Sequence, residues 1–280
     1  MASSPQATGR ERTIASGGVN IALVEFPNPG RPPVVLLHGL GSRGQSWWPV
    51  IDALVERFHL YQVDLRGHGA SGKPAIGYRV EDYAADLDAV IDVLALEGDA
   101  PRVVGHSLGA LVTLYWASQR PAKAAALVVE DPSLRTPPDI LEAFDGWQQL
   151  AALTPVEAAA WYRQQYPDWS DEDCLRRAET ITSTAPGVFA ELRAEAREAL
   201  ANGTADRTHI LAAVQSPALL LHGSSELGSM VAPEDAQRFI QIMPRGRAMS
   251  IPDAGHSLHR DATGAFLAAV MPFLEGEGWD

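Results

Sequence analysis

Short, continuous apolar runs alternate along the chain with longer stretches of helical period. Ile21 to Phe26, Leu60 to Val63, Val103-Val104 and Ala126 to Val129 read as strands, as does Val34 to Leu37 after Pro32-Pro33. Between them, Trp47 to Arg57, Val80 to Leu96 and the run from Ala110 to Ser118 carry the spacing of helices. Runs apolar at every position, not at every second one, predict strands buried on both faces. The chain is therefore expected to form an α/β fold, a doubly wound and mostly parallel sheet with helices on both sides.

The rhythm breaks after Glu130. From residue 132 to 215 no strand is predicted, only helices with marked starts. Thr154-Pro155-Val156-Glu157 is a capping box with proline at the first helical position, and Ser170 with Asp173 is a second start. Alternation resumes at Ala218 to Leu221, Pro233 to Ile242, Ala248 to Ile251 and Ala262 to Leu274. The expected organisation is a core of residues 1–131 and 216–280 interrupted by a helical insertion, 132–215. The first ten or so residues are expected to be a frayed tail.

Composition narrows the partners. Asp and Glu number 35 against 22 Lys and Arg, for a net charge of −13 spread along the chain. That argues against nucleic acid and anionic membrane surfaces. The lone cysteine, Cys174, allows no internal disulfide, and neither Cys pairs nor an H-E-x-x-H spacing offers a metal site, so no cofactor or metal is expected. The opening MASSPQATGRER lacks the apolar segment of a signal peptide, and no stretch has the length of a membrane span. A cytoplasmic location is the expectation.

The stretch RVVGHSLGALVT, residues 102–113, carries the sharpest chemical signal. A buried strand passes into a helix with almost no loop, with Ser107 at the apex and Gly105 and Gly109 flanking it. This is the G-x-S-x-G pattern in which small neighbours let a strained turn expose a nucleophilic hydroxyl at a helix N-terminus. A general base is offered by IPDAGHSLHRD, where His256 follows a strand and precedes the last helix. In a parallel sheet both loops lie on the edge formed by the carboxyl ends of the strands. His259, three residues on, is expected on the first turn of that helix. His38, His68, His106 and His222 sit in small turns, where bonding to nearby backbone is the expected role. The elbow also implies an oxyanion site: the backbone N–H of Leu108, plus that of Leu40 in LLHGLGSRG.

VVLLHGLGSRGQSW, YQVDLRGHGASGKP, VVGHSLGA and IPDAGHSLHR occur in that order, and together they make the chain resemble an α/β-hydrolase. The resemblance covers about residues 20–131 and 216–275 and implies that residues 132–215 form a helical cap over the active site. It departs from the family at the acid that orients His256. After the strand Ala218 to Leu221 the turn HGSSELG has Glu226 where the family usually has Asp. The strand before the insertion ends LVVEDPSL, and an acid there resembles the haloalkane dehalogenases and fungal zearalenone lactonases, where a Glu at that strand end orients the histidine. A carboxylate that ends a buried apolar strand is costly unless paired, whereas Glu226 in a polar loop bears no such cost. Glu130 is therefore the expected acid and Glu226 the alternative, with Asp131-Pro132 read as strand exit and hinge.

A serine nucleophile excludes the members whose chemistry starts from Asp. The expected reaction is hydrolysis of carboxylic esters or lactones through a Ser-His-Glu triad and an acyl-enzyme. Trp147, Trp161 and Trp169 in the insertion predict an apolar, aromatic pocket for a small hydrophobic substrate. Two alternatives stay open: a C–C bond hydrolase of ring-fission diketones, which a cap arginine such as Arg163, Arg176 or Arg193 facing the pocket would favour, and a low-turnover ligand receptor on the same fold.

Overall fold

Strands apolar on both faces must be covered on both faces, and the chain achieves this with one eight-stranded sheet in the order β1-β2-β4-β3-β5-β6-β7-β8. The computed structural model describes residues 8–95, 100–137, 139–167 and 169–279. Residues 1–7 of the expected tail and Leu96, the predicted end of the second helix, lie outside the described residues.

The parallel body consists of β3 (Pro33–Leu37), β4 (His59–Val63), β5 (Arg102–His106), β6 (Ala126–Glu130), β7 (Ala218–His222) and β8 (Gly246–Ser250). At one edge, β1 (Arg10–Ser16) and β2 (Val19–Phe26) pair antiparallel with each other, and β2 pairs antiparallel with β4. The pattern of β1 was illegible because it is an edge strand: its first four residues, Arg10 to Thr13, leave only Arg12 partly covered, so polar side chains dominate.

Side chains alternate between two apolar layers. Leu36, Val104, Val128 and Leu219 face α1 (Trp48–Val55) and α10 (Thr263–Leu274). Val35, Val103, Val129 and Leu220 face α2 (Val80–Ala95) and α3 (Leu108–Gln119). Between β6 and β7 the chain forms α4 (Ile140–Ala151), α5 (Pro155–Gln165), α6 (Asp171–Thr182) and α7 (Pro186–Asn202). The capping box predicted at Thr154 is present, its Oγ1 accepting from the Glu157 N–H at 3.3 Å while Glu157 accepts from the Thr154 N–H at 2.9 Å. After β7 come α8 (Pro233–Ile242), β8 and the single-turn helix α9 (Leu258–Asp261).

The strand-to-helix turn at Ser107 explains its two glycines. A Cβ on Gly109 would stand 2.5 Å from the Leu37 carbonyl oxygen and 2.7 Å from that of His38, and one on Gly105 would run into the Gly109 backbone. Helix α3 therefore lies directly on the end of β3. Gly109→Val is expected to lower the unfolding free energy by about 1–3 kcal/mol through this overlap, read as a reduced midpoint in urea.

Candidate active site

Ser107 adopts φ 53°, ψ −114°, a region that L-residues other than glycine rarely enter. Hydrogen bonds on both sides hold it there: its N–H donates to the Glu130 carbonyl at 2.9 Å, and its carbonyl accepts from Leu111 at 3.0 Å. The side chain is left at the N-terminus of α3. The adjacent Leu108 N–H is the first of the helix and has no acceptor within it.

The loop after β3 passes against this turn. A Cβ on Gly39 would lie 2.8 Å from His106 Nδ1 and 3.1 Å from the Ser107 Cβ, so only glycine lets the loop approach Ser107. Two buried histidines fasten it. His38 Nδ1 donates to the Gly39 carbonyl at 2.7 Å, and His38 Nε2 accepts from the Leu65 N–H at 3.0 Å. His68 Nδ1 donates to the Arg66 carbonyl at 2.9 Å, and its Nε2 accepts from the Gly41 N–H at 3.2 Å. Carbonyls only accept and amide N–H groups only donate, so both rings must be neutral with the proton on Nδ1. Burial pushes His38 down to about 4 and His68 down to about 3. Between the anchored Gly39 and Gly41, the Leu40 N–H has no acceptor among the described residues. The bonding to nearby backbone expected of these histidines thus serves to shape the loop that carries Leu40.

The acid is where the sequence reading has to be corrected. His256 Nδ1 donates to Asp131 Oδ2 at 2.7 Å. Glu130 is instead bound to His259, accepting from its Nδ1 and its backbone N–H at 2.9 Å each. Strand alternation is the reason. Glu130 continues the series Ala126, Val128, whose side chains face α10, and His259 on α9 is on that face. Asp131, one residue beyond the strand, turns away with φ 46°. A buried carboxylate does need a partner, and Glu130 has its own in His259. Opposing the effect of burial, the proximity of His259 and its hydrogen bonds hold the Glu130 carboxyl below the usual range.

Glu226 is exposed on a 3-10 turn, and the carboxylate bonded to His256 is that of Asp131. The loop it belongs to does contribute, because Ser229 Oγ, the Met230 N–H and the Val231 N–H donate to the Asp131 carboxylate at 2.6, 2.8 and 3.2 Å. The main chain of His256 is tied down as well: its carbonyl accepts from His106 Nε2 at 2.9 Å. Burial pushes His106 down to about 3, so that ring too is neutral. This role for His106 reaches well beyond its local turn and was not legible in the sequence.

Ser107, His256, Leu40 and Leu108 line one cavity of about 710 Å3. Trp147, Trp161 and Trp169 all contribute to its wall, as expected, together with Phe144 and Tyr162. Arg163, Arg176 and Arg193 do not line it; they pair with Asp171, Glu172 and Asp145.

A model of the alpha/beta hydrolase family matches residues 34–270, and the chain belongs to that family. It is 30% identical over 260 residues to the pimeloyl-acyl-carrier-protein methyl ester esterase of Chromobacterium violaceum, covering 87% of this chain and 94% of that one. It is also 30% identical over 252 residues to the 2-(acetamidomethylene)succinate hydrolase of Mesorhizobium japonicum, covering 87% of this chain and 88% of that one. Among solved structures, an E-2-(acetamidomethylene)succinate hydrolase superposes with a TM-score of 0.80 at 23% identity, over 96% of this chain and all of that one. The chain is thus a member of a hydrolase family with esterase relatives. No helix among the described residues is long and apolar enough to cross a membrane.

The neutral histidines make a prediction about acid. His38, His68 and His106 bind protons less readily folded than unfolded, so below about pH 6.5 the unfolded chain takes up more protons and stability falls with pH. Each loses about 1.4 kcal/mol per pH unit until its folded value is reached, so acidification from pH 7 to 5.5 is expected to cost roughly 4 kcal/mol in all. Urea midpoints at the two pH values check this; an unchanged midpoint would contradict the assignment of neutral, buried rings.

Proposed function

We propose that the protein hydrolyses carboxylic esters or lactones of small, largely hydrophobic molecules through Ser107, His256 and Asp131. The observation that carries this reading is the 2.7 Å bond to buried Asp131 from His256, which shares a cavity with the strained Ser107. Ser107 Oγ attacks the carbonyl carbon and its proton passes to His256 Nε2. Asp131 keeps the other ring proton on Nδ1 and stabilises the imidazolium that forms. The N–H groups of Leu40 and Leu108 receive the oxyanion. His256 then returns the proton to the departing alkoxide, and water drawn through the same base releases the acid and regenerates Ser107. With a lactone the alcohol stays attached, and the product is a hydroxy acid.

The helices α4 to α7 act in this reading as a cap, supplying Trp147, Trp161 and Trp169 to the substrate wall. The methyl ester esterase relative supports the ester class. A cap arginine facing the cavity would favour cleavage of a diketone C–C bond; Arg163, Arg176 and Arg193 are engaged elsewhere, but Arg177 and Arg207, also from the insertion, line the cavity and keep that second reading in play.

Steady-state hydrolysis of short and medium p-nitrophenyl esters tests the assignment. Ser107→Ala is expected to abolish turnover, and Asp131→Asn to lower kcat by about 10³–10⁴ through the wrong histidine tautomer. Glu226→Gln should stay within about twofold of wild type, as is usual for an exposed side chain away from the site. An active Asp131→Asn, or full loss in Glu226→Gln, would overturn the choice of acid.

A further inference from the structure

Three arginines line the catalytic cavity, in a protein whose net charge is −13. Arg207 is accounted for, because it pairs with Glu195 at 2.8 Å. Arg177 and Arg260 are not. Neither forms an ion pair among the described residues, although both are half-buried. Arg260 lies on α9, four residues after His256, and its guanidinium sits 5.3 Å from the centre of the Trp169 ring with no hydrogen-bond partner among the described residues. Arg177 comes from α6, 5.7 Å from the centre of the Tyr162 ring, and donates one N–H to the Gly41 carbonyl beside Leu40. Burial first, and then the like charge of Arg177, push Arg260 down from the ordinary arginine value.

Two like charges on one cavity wall, neither in an ion pair, cost free energy that an incoming anion would recover. Asp261 and Asp173 offset this charge in part, but neither bonds to a guanidinium. Asp261 is engaged by the Gly255 N–H at 3.0 Å, and Asp173 by Ser170 Oγ at 2.6 Å. The two guanidinium groups offer planar forks backed by aromatic rings, a geometry that suits a carboxylate. Asp139, Asp261 and Glu195 share the same wall and oppose a dianion such as phosphate more strongly than a monoanion. Arg177 and Arg260 also border a neighbouring cavity of about 760 Å3 beside exposed Trp48, so they stand at the boundary between the two spaces.

We infer that Arg260 and Arg177 form a carboxylate-binding subsite, so that the ester or lactone cleaved at Ser107 carries a free carboxylate held at the boundary of the cavity. This rests on the hydrolase reading of Ser107, and it narrows the hydrophobic substrate to one that is acidic at one end.

Matched substrates separate the two claims. Mono-p-nitrophenyl adipate and glutarate are compared with p-nitrophenyl hexanoate and valerate, and 4-acetoxybenzoate with its methyl ester, which places the carboxylate on either side of the scissile bond. Wild type should favour the acidic member of at least one pair by about tenfold or more in kcat/KM. That ratio should fall about 10- to 100-fold in Arg260→Gln and in Arg177→Gln, the range of a charge-assisted hydrogen bond, and stay unchanged in the control Arg163→Gln. Reading the ratio cancels any shared loss from a disturbed fold. Neutral esters turned over with no preference for acidic ones, or a preference that survives both variants, would overturn the subsite and leave the hydrolase reading intact. If no ester is turned over, the hydrolase reading fails, and calorimetric titration of the protein with adipate decides the subsite. Binding weakened tenfold or more by Arg260→Gln supports it. Absent or unaltered binding, or tighter binding of inorganic phosphate, overturns it.

Discussion

Glu130 and Asp131 are adjacent, both fully removed from solvent, and both acidic. A buried carboxylate without donors is costly by several kcal/mol, so each needs its own set. Strand alternation sends the two side chains to opposite sides of the end of β6, and the chain meets each with a histidine from the same short segment. His259 takes Glu130 and pins α9 to the sheet. His256 takes Asp131 and is left facing the cavity. The loop after β7 completes the shell around Asp131 with a hydroxyl and two backbone N–H groups. Three chain segments distant in sequence are thus brought together by the need to satisfy two charges.

The same reasoning accounts for the opposite wall. Leu40 can present a bare N–H only if the loop around it is stiff, and the stiffness comes from His38 and His68, each neutral and each using both ring nitrogens. Burial keeps these rings uncharged, and the hydrogen bonds then fix the tautomer. A rigid, preorganised donor costs no reorganisation when negative charge develops opposite it, which is the physical basis of oxyanion stabilisation in the proposed reaction.

Much of this is legible in the sequence. Continuous apolar runs disclosed the parallel body of the sheet, the loss of such runs after Glu130 disclosed the helices between β6 and β7, and the glycines at 105 and 109 marked the turn at Ser107. His256 followed from its place at the same sheet edge. What escaped were features set by parity and by distant contacts. β1 carries too many exposed polar side chains to look like a strand. Asp131 was read as a hinge, although counting from Ala126 puts Glu130 on the face of α10 and leaves the next residue to turn the other way. The carboxylate bonded to His256 lies at that strand end, one residue beyond Glu130. The link from His106 to the His256 carbonyl joins residues 150 positions apart, and nothing local announces it.

Asp131, not its neighbour Glu130, holds the imidazole of His256. Proton NMR of histidine-labelled protein reads that bond directly, because an Nδ1 proton shared with a buried carboxylate resonates far downfield. A downfield signal assigned to His256 Nδ1 by its loss in His256→Ala is expected to persist in Glu130→Gln, which removes only the matching His259 signal, and to disappear in Asp131→Asn. Loss of that signal in Glu130→Gln with its survival in Asp131→Asn would contradict the pairing of His256 with Asp131.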